Sequence, residues 1–439
     1  MSTSSGATGT ASHRGAQRTS LLRQPGFAWL VSGSFITLLG DQFSLIALPW
    51  LVLRISGDPL QLGLVLGAMS VPRAVFMLIG GALVDRHSPK AVLMWSKHAC
   101  TLLLLALGGL VIADRLTLPA LYLLAFGLGL AMAFSIPAGS SMLPHVVPPA
   151  QLQAANGILL GLRQLTMFIG PVLAGLTIAG IGASTQASPQ SSLGIGVAFL
   201  VDAATFALSA FTLSRVRLLA SPRRPPQAAG VWRSVADGVA TAWNDRDLRS
   251  CFLYWGAVAL LITGPMQVAL PVLASRLPGA GANTLGMLAG AHGAGTLLGM
   301  VLAGARPGWR AGTLGATLLL VDALVGLLFM PLGHIDSVGP GLALLLAIGV
   351  LGGFMQVAIF TWMQRRVPPQ MLGRTMSIFM FIFLGVAPLS GALTGWVMRG
   401  VALPTLFIAC GAALVAAVGV ALCFTRIRHV TDAPRAAAG

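Results

Sequence analysis

A chain of 439 residues that is 56% hydrophobic and only 9% charged, with mean hydropathy +0.86, has too little polar surface to fold in water; soluble domains carry about 25% charged residues. Lipid must be its solvent. The net charge of +16 comes from 25 Arg and 2 Lys set against 11 Asp and no Glu, and its placement along the chain, set out below, argues against a nucleic-acid partner.

Residues 1–26 are rich in Ser, Thr, Gly and Ala, with Arg14, Arg18 and Arg23, and read as a disordered tail. A cleaved signal peptide does not fit, because the following apolar run is too long and carries Asp41 and Pro49. A bilayer core about 30 Å thick takes roughly 20 apolar residues as helix. Twelve runs meet that length: 27–53, 60–82, 91–113, 117–141, 152–178, 193–213, 249–275, 284–305, 310–332, 340–364, 371–398 and 403–426. Each run must satisfy its own backbone hydrogen bonds in lipid, which leaves helix.

An even number of crossings puts both ends on one side, and the basic residues choose the side. With both tails cytoplasmic, the cytoplasmic tails, loops and helix ends hold 21 of the 27 Lys and Arg. Arg54, Arg115, Arg276 and Arg399 fall outside, and Arg73 and Arg163 fall mid-membrane. The positive excess is thus a topology signal. The longest interruption, 214–248, carries Arg215, Arg217, Arg223, Arg224 and Arg233 around an SPRRPP section, with an amphipathic surface helix predicted from Val231 to Arg246. It links a six-helix bundle at 27–213 to a second at 249–427, and 428–439 is the other cytoplasmic tail. The four cysteines, Cys100, Cys251, Cys410 and Cys423, have no paired spacing and read as small buried hydrophobes.

The two halves repeat. Val147-Pro148-Pro149 and Val367-Pro368-Pro369 are 220 positions apart, as are Arg86 and Arg306, and Lys90 and Arg310. GPVLAG (170–175) in the fifth span and APLSGA (387–392) in the eleventh are 217 apart. Two tandem six-span bundles are a transporter architecture, with a substrate site near the midplane where the halves meet.

The loop GALVDRHSPK (81–90) resembles the signature G-x-L-x-D-R-x-G-R-[RK] of the major facilitator superfamily. Gly81, Leu83, Asp85, Arg86 and Lys90 match, while Ser88 and Pro89 depart from it. The resemblance implies that this loop latches a cytoplasmic gate near the start of the eleventh span, where Arg374 lies, and a helix N-terminus there suits Asp85. The equivalent GARPGWR (304–310) has Ala305 in place of the acid. The stretches 38–63, 137–156, 199–211 and 363–377 are similar to bacterial exporters of the enterobactin-exporter and macrolide-efflux type. The resemblance implies an all-α membrane fold of two pseudo-symmetric six-helix bundles and transport directed outward. The Arg-containing span-four signature of many proton-coupled drug exporters is missing, since 117–141 holds no charge.

Ionisable groups inside hydrocarbon cost roughly 2.5–3.5 kcal/mol or more each, which makes them functional candidates. Asp41 and Arg73 sit at matching depths in the first two spans, and Asp41 shares a helical stripe with Ser34, Thr37 and Ser44 that is read as facing a wet cavity. Asp41 exchanging a proton with Arg73 responding is one reading; a permanent ion pair locking two helices is the other. Arg163, beside Gln164 in the fifth span, either binds an anionic substrate or pairs with Asp202 in the sixth. Asp322 in the ninth span reads as structural. His292, Gln267 and Gln356 are cavity candidates with helix-to-helix hydrogen bonding as the competing role. Gly170, Pro171 and Gly175 are either a bend that gates the far side or close packing.

The expectation is therefore a secondary active exporter in a cell inner membrane, coupled to protons, that moves a small amphipathic or hydrophobic compound such as a drug, macrolide-like compound or siderophore. A lysophospholipid or lipid flippase on the same fold and a non-transporting membrane sensor are the alternatives. No Walker-type loop, metal-spaced cluster or catalytic triad appears. The chain is expected to need no cofactor or metal, to catalyse no reaction and to act as a monomer.

Overall fold

The computed structural model describes residues 21, 23–86, 88–184, 192–218, 243, 246–277, 281–306, 308–367 and 369–431, and gives no side-chain description at 78–86, 182–184, 246–247, 369–378, 380–381 and 383–384. Twelve long helices account for most of it. In chain order they are α1 (Pro25–Ser56), α2 (Pro59–Arg86), α3 (Pro89–Ile112), α4 (Leu118–Met142), α5 (Leu152–Ser184), α6 (Ser192–Arg215), α7 (Arg246–Gly264, continued by Pro265–Ala269 and Leu270–Arg276), α8 (Ala282–Ala305), α9 (Leu314–Phe329), α10 (Val338–Arg366), α11 (Pro369–Val397) and α12 (Leu403–Phe424). Among the described residues, eleven stretches are long and apolar enough to cross a membrane. The twelfth crossing is α11, which is 29 residues long.

The helices end where the sequence chemistry says they should. Pro occupies the first turn of α1, α3, α4 and α12, where its missing N–H costs nothing. Thr117 and Thr313 cap α4 and α9 by accepting from Ala120 and Ala316. Gly57 closes α1 with φ +64° and donates its N–H to Leu53 O at 2.8 Å, a left-handed turn that glycine makes without strain. Asp58, next in sequence, starts α2 by accepting the Leu60 N–H at 2.9 Å.

Packing partners repeat across the halves. In the first, α1 packs on α5 and α6, α2 on α4, and α3 on α4 and α6; in the second, α7 packs on α11 and α12, α8 on α10, and α9 on α10 and α12. Adding six to each label converts one set into the other, so the fold is two pseudo-symmetric six-helix bundles. The halves meet through α2 on α11 and α5 on α8, and the same operation exchanges these two seams.

Small residues set how closely the seams approach. An ideal Cβ on Gly286 of α8 would lie 2.3 Å from Pro171 O, and one on Gly293 would lie 2.2 Å from Met167 O. On the other seam, a Cβ on Gly63 of α2 would lie 2.4 Å from Gly391 O, and one on Gly395 would lie 2.5 Å from Pro59 O. Only glycine fits such backbone-to-backbone contact. The contacts at Gly63 and Gly395 lie at the end of the bundle away from the chain termini, here called the far side.

The tails are anchored beyond the predicted spans. Leu21, within the expected tail, is fully buried in a cluster with Phe27, Met142 and Val147. After α12, Gly315 donates its N–H to Val430 O at 3.0 Å. The amphipathic helix expected at Val231–Arg246 lies almost wholly outside the described residues.

Candidate functional site

The interior of the first half holds the chain's densest set of described charges within spans. Two glycines one heptad apart on α1, Gly33 and Gly40, let α6 lie against it: a Cβ on Gly33 would lie 2.1 Å from Thr212 Oγ1, and one on Gly40 would lie 1.9 Å from Thr205 Oγ1. That approach brings the polar face of α6 onto α1. Asp202, only 2% exposed, accepts from Ser44 Oγ and, at 3.3 Å, from Thr205 Oγ1. Ser209 Oγ donates to Gly33 O at 2.7 Å.

Lys97 of α3 completes this network. Its ammonium donates to Ser209 Oγ at 2.6 Å and Thr37 Oγ1 at 3.2 Å, and lies 5.7 Å from the Phe206 ring centroid. The sequence reading places Lys97 among the basic helix ends, and the structure corrects this. Because α3 begins at Pro89, Lys97 stands more than two turns inside it and is 8% exposed. A lone Lys two turns beyond a basic loop is the signal that finds it.

Asp41 lies beside this network. It is half-buried, and its Oδ1 is enclosed without a hydrogen-bond partner. Arg73, Lys97 and Arg163 all stand within electrostatic reach of it, and Asp202 lies close enough to repel it. Asp41 and Arg73 form no direct ion pair among the described contacts, and Arg73 Nε is likewise buried without a partner. The expected stripe divides: Ser34 and Thr37 donate to backbone carbonyls of α1, Leu30 O at 2.8 Å and Gly33 O at 3.0 Å, whereas Ser44 turns to Asp202. Ser44 and Thr37 therefore face α6 and α3.

The pairing of Arg163 with Asp202 is not formed. Arg163 is exposed, while Asp202 accepts from the hydroxyls of Ser44 on α1 and Thr205 on α6 itself. Gln164, next to Arg163, reaches across the seam to Met300 Sδ of α8. Gly170 gives its space to the Gln42 side chain, with a Cβ there lying 2.3 Å from Gln42 Cγ. Gly175 and Pro171 receive α8 at Ala282 and Gly286.

In the second half, Gln267 and Gln356 are exposed on α7 and α10, and His292 is half-buried on α8 with its backbone carbonyl accepting from Thr296. Asp322 accepts from Tyr254 Oη at 2.8 Å, a bond between α9 and α7. Of the gating-loop residues, Gly81, Asp85, Arg86 and Arg374 fall outside the described side chains. Lys90 donates to Ser214 O at 2.9 Å and Val216 O at 2.7 Å, where a cation suits the C-terminus of α6. No group of three or more metal-binding side chains occurs among the described residues.

Comparison with known proteins agrees with this architecture. The profile of the Major Facilitator Superfamily matches residues 30–392. The chain is 25% identical over 444 residues to the multidrug efflux pump Tap of Mycobacterium tuberculosis, covering 94% of this chain and 96% of Tap. It is 25% identical over 369 residues to the enterobactin exporter EntS of Salmonella paratyphi A, covering 81% of each. Among solved structures it is similar to a mutant of the nucleoside transporter NupG, with TM-score 0.73 at 12% identity over 90% of this chain and 98% of the other. A bacterial homolog of the human lysosomal transporter Spinster, inward-facing and unoccupied, matches with TM-score 0.68 at 14% identity over 94% and 96%. At these identities the structural likeness speaks for the fold alone. With twelve helices in two related bundles and a profile match over most of its length, the chain belongs to the Major Facilitator Superfamily and is a multi-pass membrane transporter rather than an enzyme.

Proposed function

We propose that this transporter is an exporter that exchanges inward-moving protons for a small amphipathic or hydrophobic compound, with Asp41 as the proton-exchanging group. The observation that carries the reading is the unpaired Oδ1 of Asp41, enclosed among Arg73, Lys97 and Arg163 yet bonded to none of them. A carboxylate held that way keeps no fixed partner to lose on protonation. The net effect of surrounding cations and burial then decides its charge. The names of the relatives, a multidrug efflux pump and an enterobactin exporter, support outward transport of drug-like or siderophore-like molecules.

Arg163, Gln267 and Gln356 are exposed within their helices. Polar groups in that position are costly against lipid, so they line water between the halves and offer hydrogen bonds to a substrate. With both termini cytoplasmic, as the basic residues predict, the far side is outside the cell. Contact along α2–α11 and α5–α8 there corresponds to a state closed to the outside. Rocking of the bundles about these seams gives alternating access.

The test is uptake into inverted membrane vesicles with an imposed, interior-acid pH gradient, using ethidium and enterobactin as probes. Gradient-driven uptake is expected for the wild type and its loss for Asp41→Asn. Uptake unchanged in the variant removes Asp41 from coupling, and uptake that survives collapse of the gradient removes proton exchange altogether.

A further inference from the structure

The APLSGA stretch of α11 does something its counterpart in α5 does not. Ser390, 1% exposed, places its hydroxyl against the backbone of α7. Its Oγ accepts the Gly264 N–H at 2.7 Å and donates to Leu260 O at 2.5 Å. Gly264 and Leu260 are four residues apart, the pair that a regular α-turn would bond to each other. A side chain has entered the ladder, one of the few identifiable causes of a helix kink.

The sequence around this point explains why it happens there. Gly264 has no side chain to exclude α11: a Cβ there would lie 2.2 Å from Ser390 O. Pro265 follows and has no N–H to return to the preceding turn. The next five residues, Pro265–Ala269, form a π turn before α-helix resumes at Leu270. Such wide turns are rare and frequent at functional sites. Gln267 lies in the middle of this one and is exposed, while its neighbours Pro265, Val268 and Ala269 are buried. The π turn also touches α2, and the segment beyond it touches α1, so α7 meets the other half at this turn.

Pseudo-symmetry supplies the contrast. At the spacing of 217 that relates the two motifs, Ser390 corresponds to Leu173, an exposed apolar residue of α5. In the first half α1 runs as one helix from Pro25 to Ser56. Among the described residues, the inserted hydroxyl and the π turn therefore occur together in the second half only.

We propose that Ser390 is a positioning residue for substrate recognition: its hydroxyl holds α7 open at the Pro265–Ala269 turn and thereby presents the Gln267 amide to the water between the halves. The ligand chemistry that this implies is a neutral group with both hydrogen-bond donor and acceptor character, such as an amide or hydroxyl, because a carboxamide offers both. The assignment rests on the transport reading only for the use made of Gln267. The geometry itself is independent of it.

The experiment reads that geometry without any substrate. In a background with Cys410→Ser and Cys423→Ser, Gln267→Cys is labelled in membrane vesicles by a membrane-impermeant maleimide, with and without Ser390→Ala. The rate is expected to fall about fivefold with Ser390→Ala, the factor that one net hydrogen bond carries, and to recover with Ser390→Thr, which keeps a hydroxyl. Gln356→Cys, exposed on α10, is labelled in parallel and is expected to keep its rate, which separates a local change from general loosening. Equal Gln267→Cys rates with and without the Ser390 hydroxyl overturn the proposal, as does a Gln356→Cys rate that moves with it. No labelling of Gln267→Cys in any background also overturns it, by removing Gln267 from water, while leaving proton exchange at Asp41 standing. Should Ser390→Ala fail to reach the membrane, Ser390→Gly in the same comparison decides between the same outcomes.

Discussion

Asp58, on the turn between α1 and α2, is bound by Arg399, just beyond α11, through both of its carboxylate oxygens. Arg399 Nη2 donates to Oδ2, and Nε donates to Oδ1 at 3.4 Å. The pair fastens the two halves together on the far side, at the end of the seam where Gly395 sits against Pro59. Two-point geometry makes it directional. Exposed ion pairs contribute little to overall stability and weaken with salt, so its effect is expected at the seam rather than in the melting temperature.

Asp58→Asn isolates that role, because asparagine keeps a side-chain oxygen to accept the Leu60 N–H and start α2. The expected outcome is a nearly unchanged melting temperature with a larger population open on the far side, read as a longer distance between spin labels across the α2–α11 seam. Arg399→Gln should do the same, and the exchanged pair Asp58→Arg with Arg399→Asp should restore part of the contact. Identical distances in all three variants would show that the pair does not hold the seam.

The same pair sets a pH dependence. The hydrogen bond from Arg399, with the Leu60 N–H behind it, holds the Asp58 carboxyl below the ordinary carboxylate range. A depressed value means that the contact is fully present above the usual pKa of about 3.9 and is lost as the pH falls through the lowered value. Acidification of the far side to mildly acidic pH should therefore leave the seam distance unchanged. Opening should begin only in strong acid, and Asp58→Asn should flatten that response.

Lys97 separates charge from packing. Replacing its ammonium leaves Ser209 bonded to Gly33 O and Thr37 bonded to the same carbonyl, so no hydroxyl is orphaned. Lys97→Met keeps the volume and should melt close to the wild type, since the ammonium is bonded to two hydroxyls and no described carboxylate loses an ion pair. It should nevertheless lower gradient-driven transport, because Asp41 loses one of its three neighbouring cations. Lys97→Ala adds a void and should cost about 2 kcal/mol. Full transport by the Met variant would place Lys97 among purely structural residues.

How far the sequence reveals this arrangement depends on the kind of contact. Twelve crossings and the internal repeat are legible because lipid imposes length and hydropathy on every span independently. Side-chain pairing is not, because it depends on how each helix is rotated. Arg163 and Asp202 share a depth, yet Asp202 faces Ser44 on α1 and Arg163 points elsewhere. Lys97 was hidden by its nearness to a basic loop, and the close α1–α6 approach that buries it depends on Gly33 and Gly40, whose role no single sequence states. Ser390 reads as one more small residue in a motif until its hydroxyl is seen inside another helix.

Gly286→Val tests the other seam. A Cβ there would lie 2.3 Å from Pro171 O, a backbone atom that cannot move aside alone, so α5 and α8 must part. Overpacking of this kind costs about 1–3 kcal/mol. The melting temperature should fall and the far-side ends of α5 and α8 should separate. Gly161→Val on α5 provides the reference, because nothing lies within 4 Å of its ideal Cβ. A Gly286 variant that melts like the Gly161 variant would mean that the seam is looser than this contact requires.

The Tyr254–Asp322 bond serves as the structural counterpart to Asp41. Tyr254→Phe removes the hydroxyl that Asp322 accepts from at 2.8 Å and leaves a buried carboxyl short of a partner, a loss of about 1–3 kcal/mol. Pairing it with Asp322→Leu removes both polar ends, and the double variant should recover part of that loss, since neither group is then left unsatisfied. A double-mutant cycle on thermal unfolding measures the coupling. Because the pair joins α7 to α9 within one bundle, the double variant should keep its response to an imposed pH gradient, in contrast to Asp41→Asn. Loss of that response with stability recovered would move Asp322 from scaffold to coupling, and the proton path would then have to run through both halves.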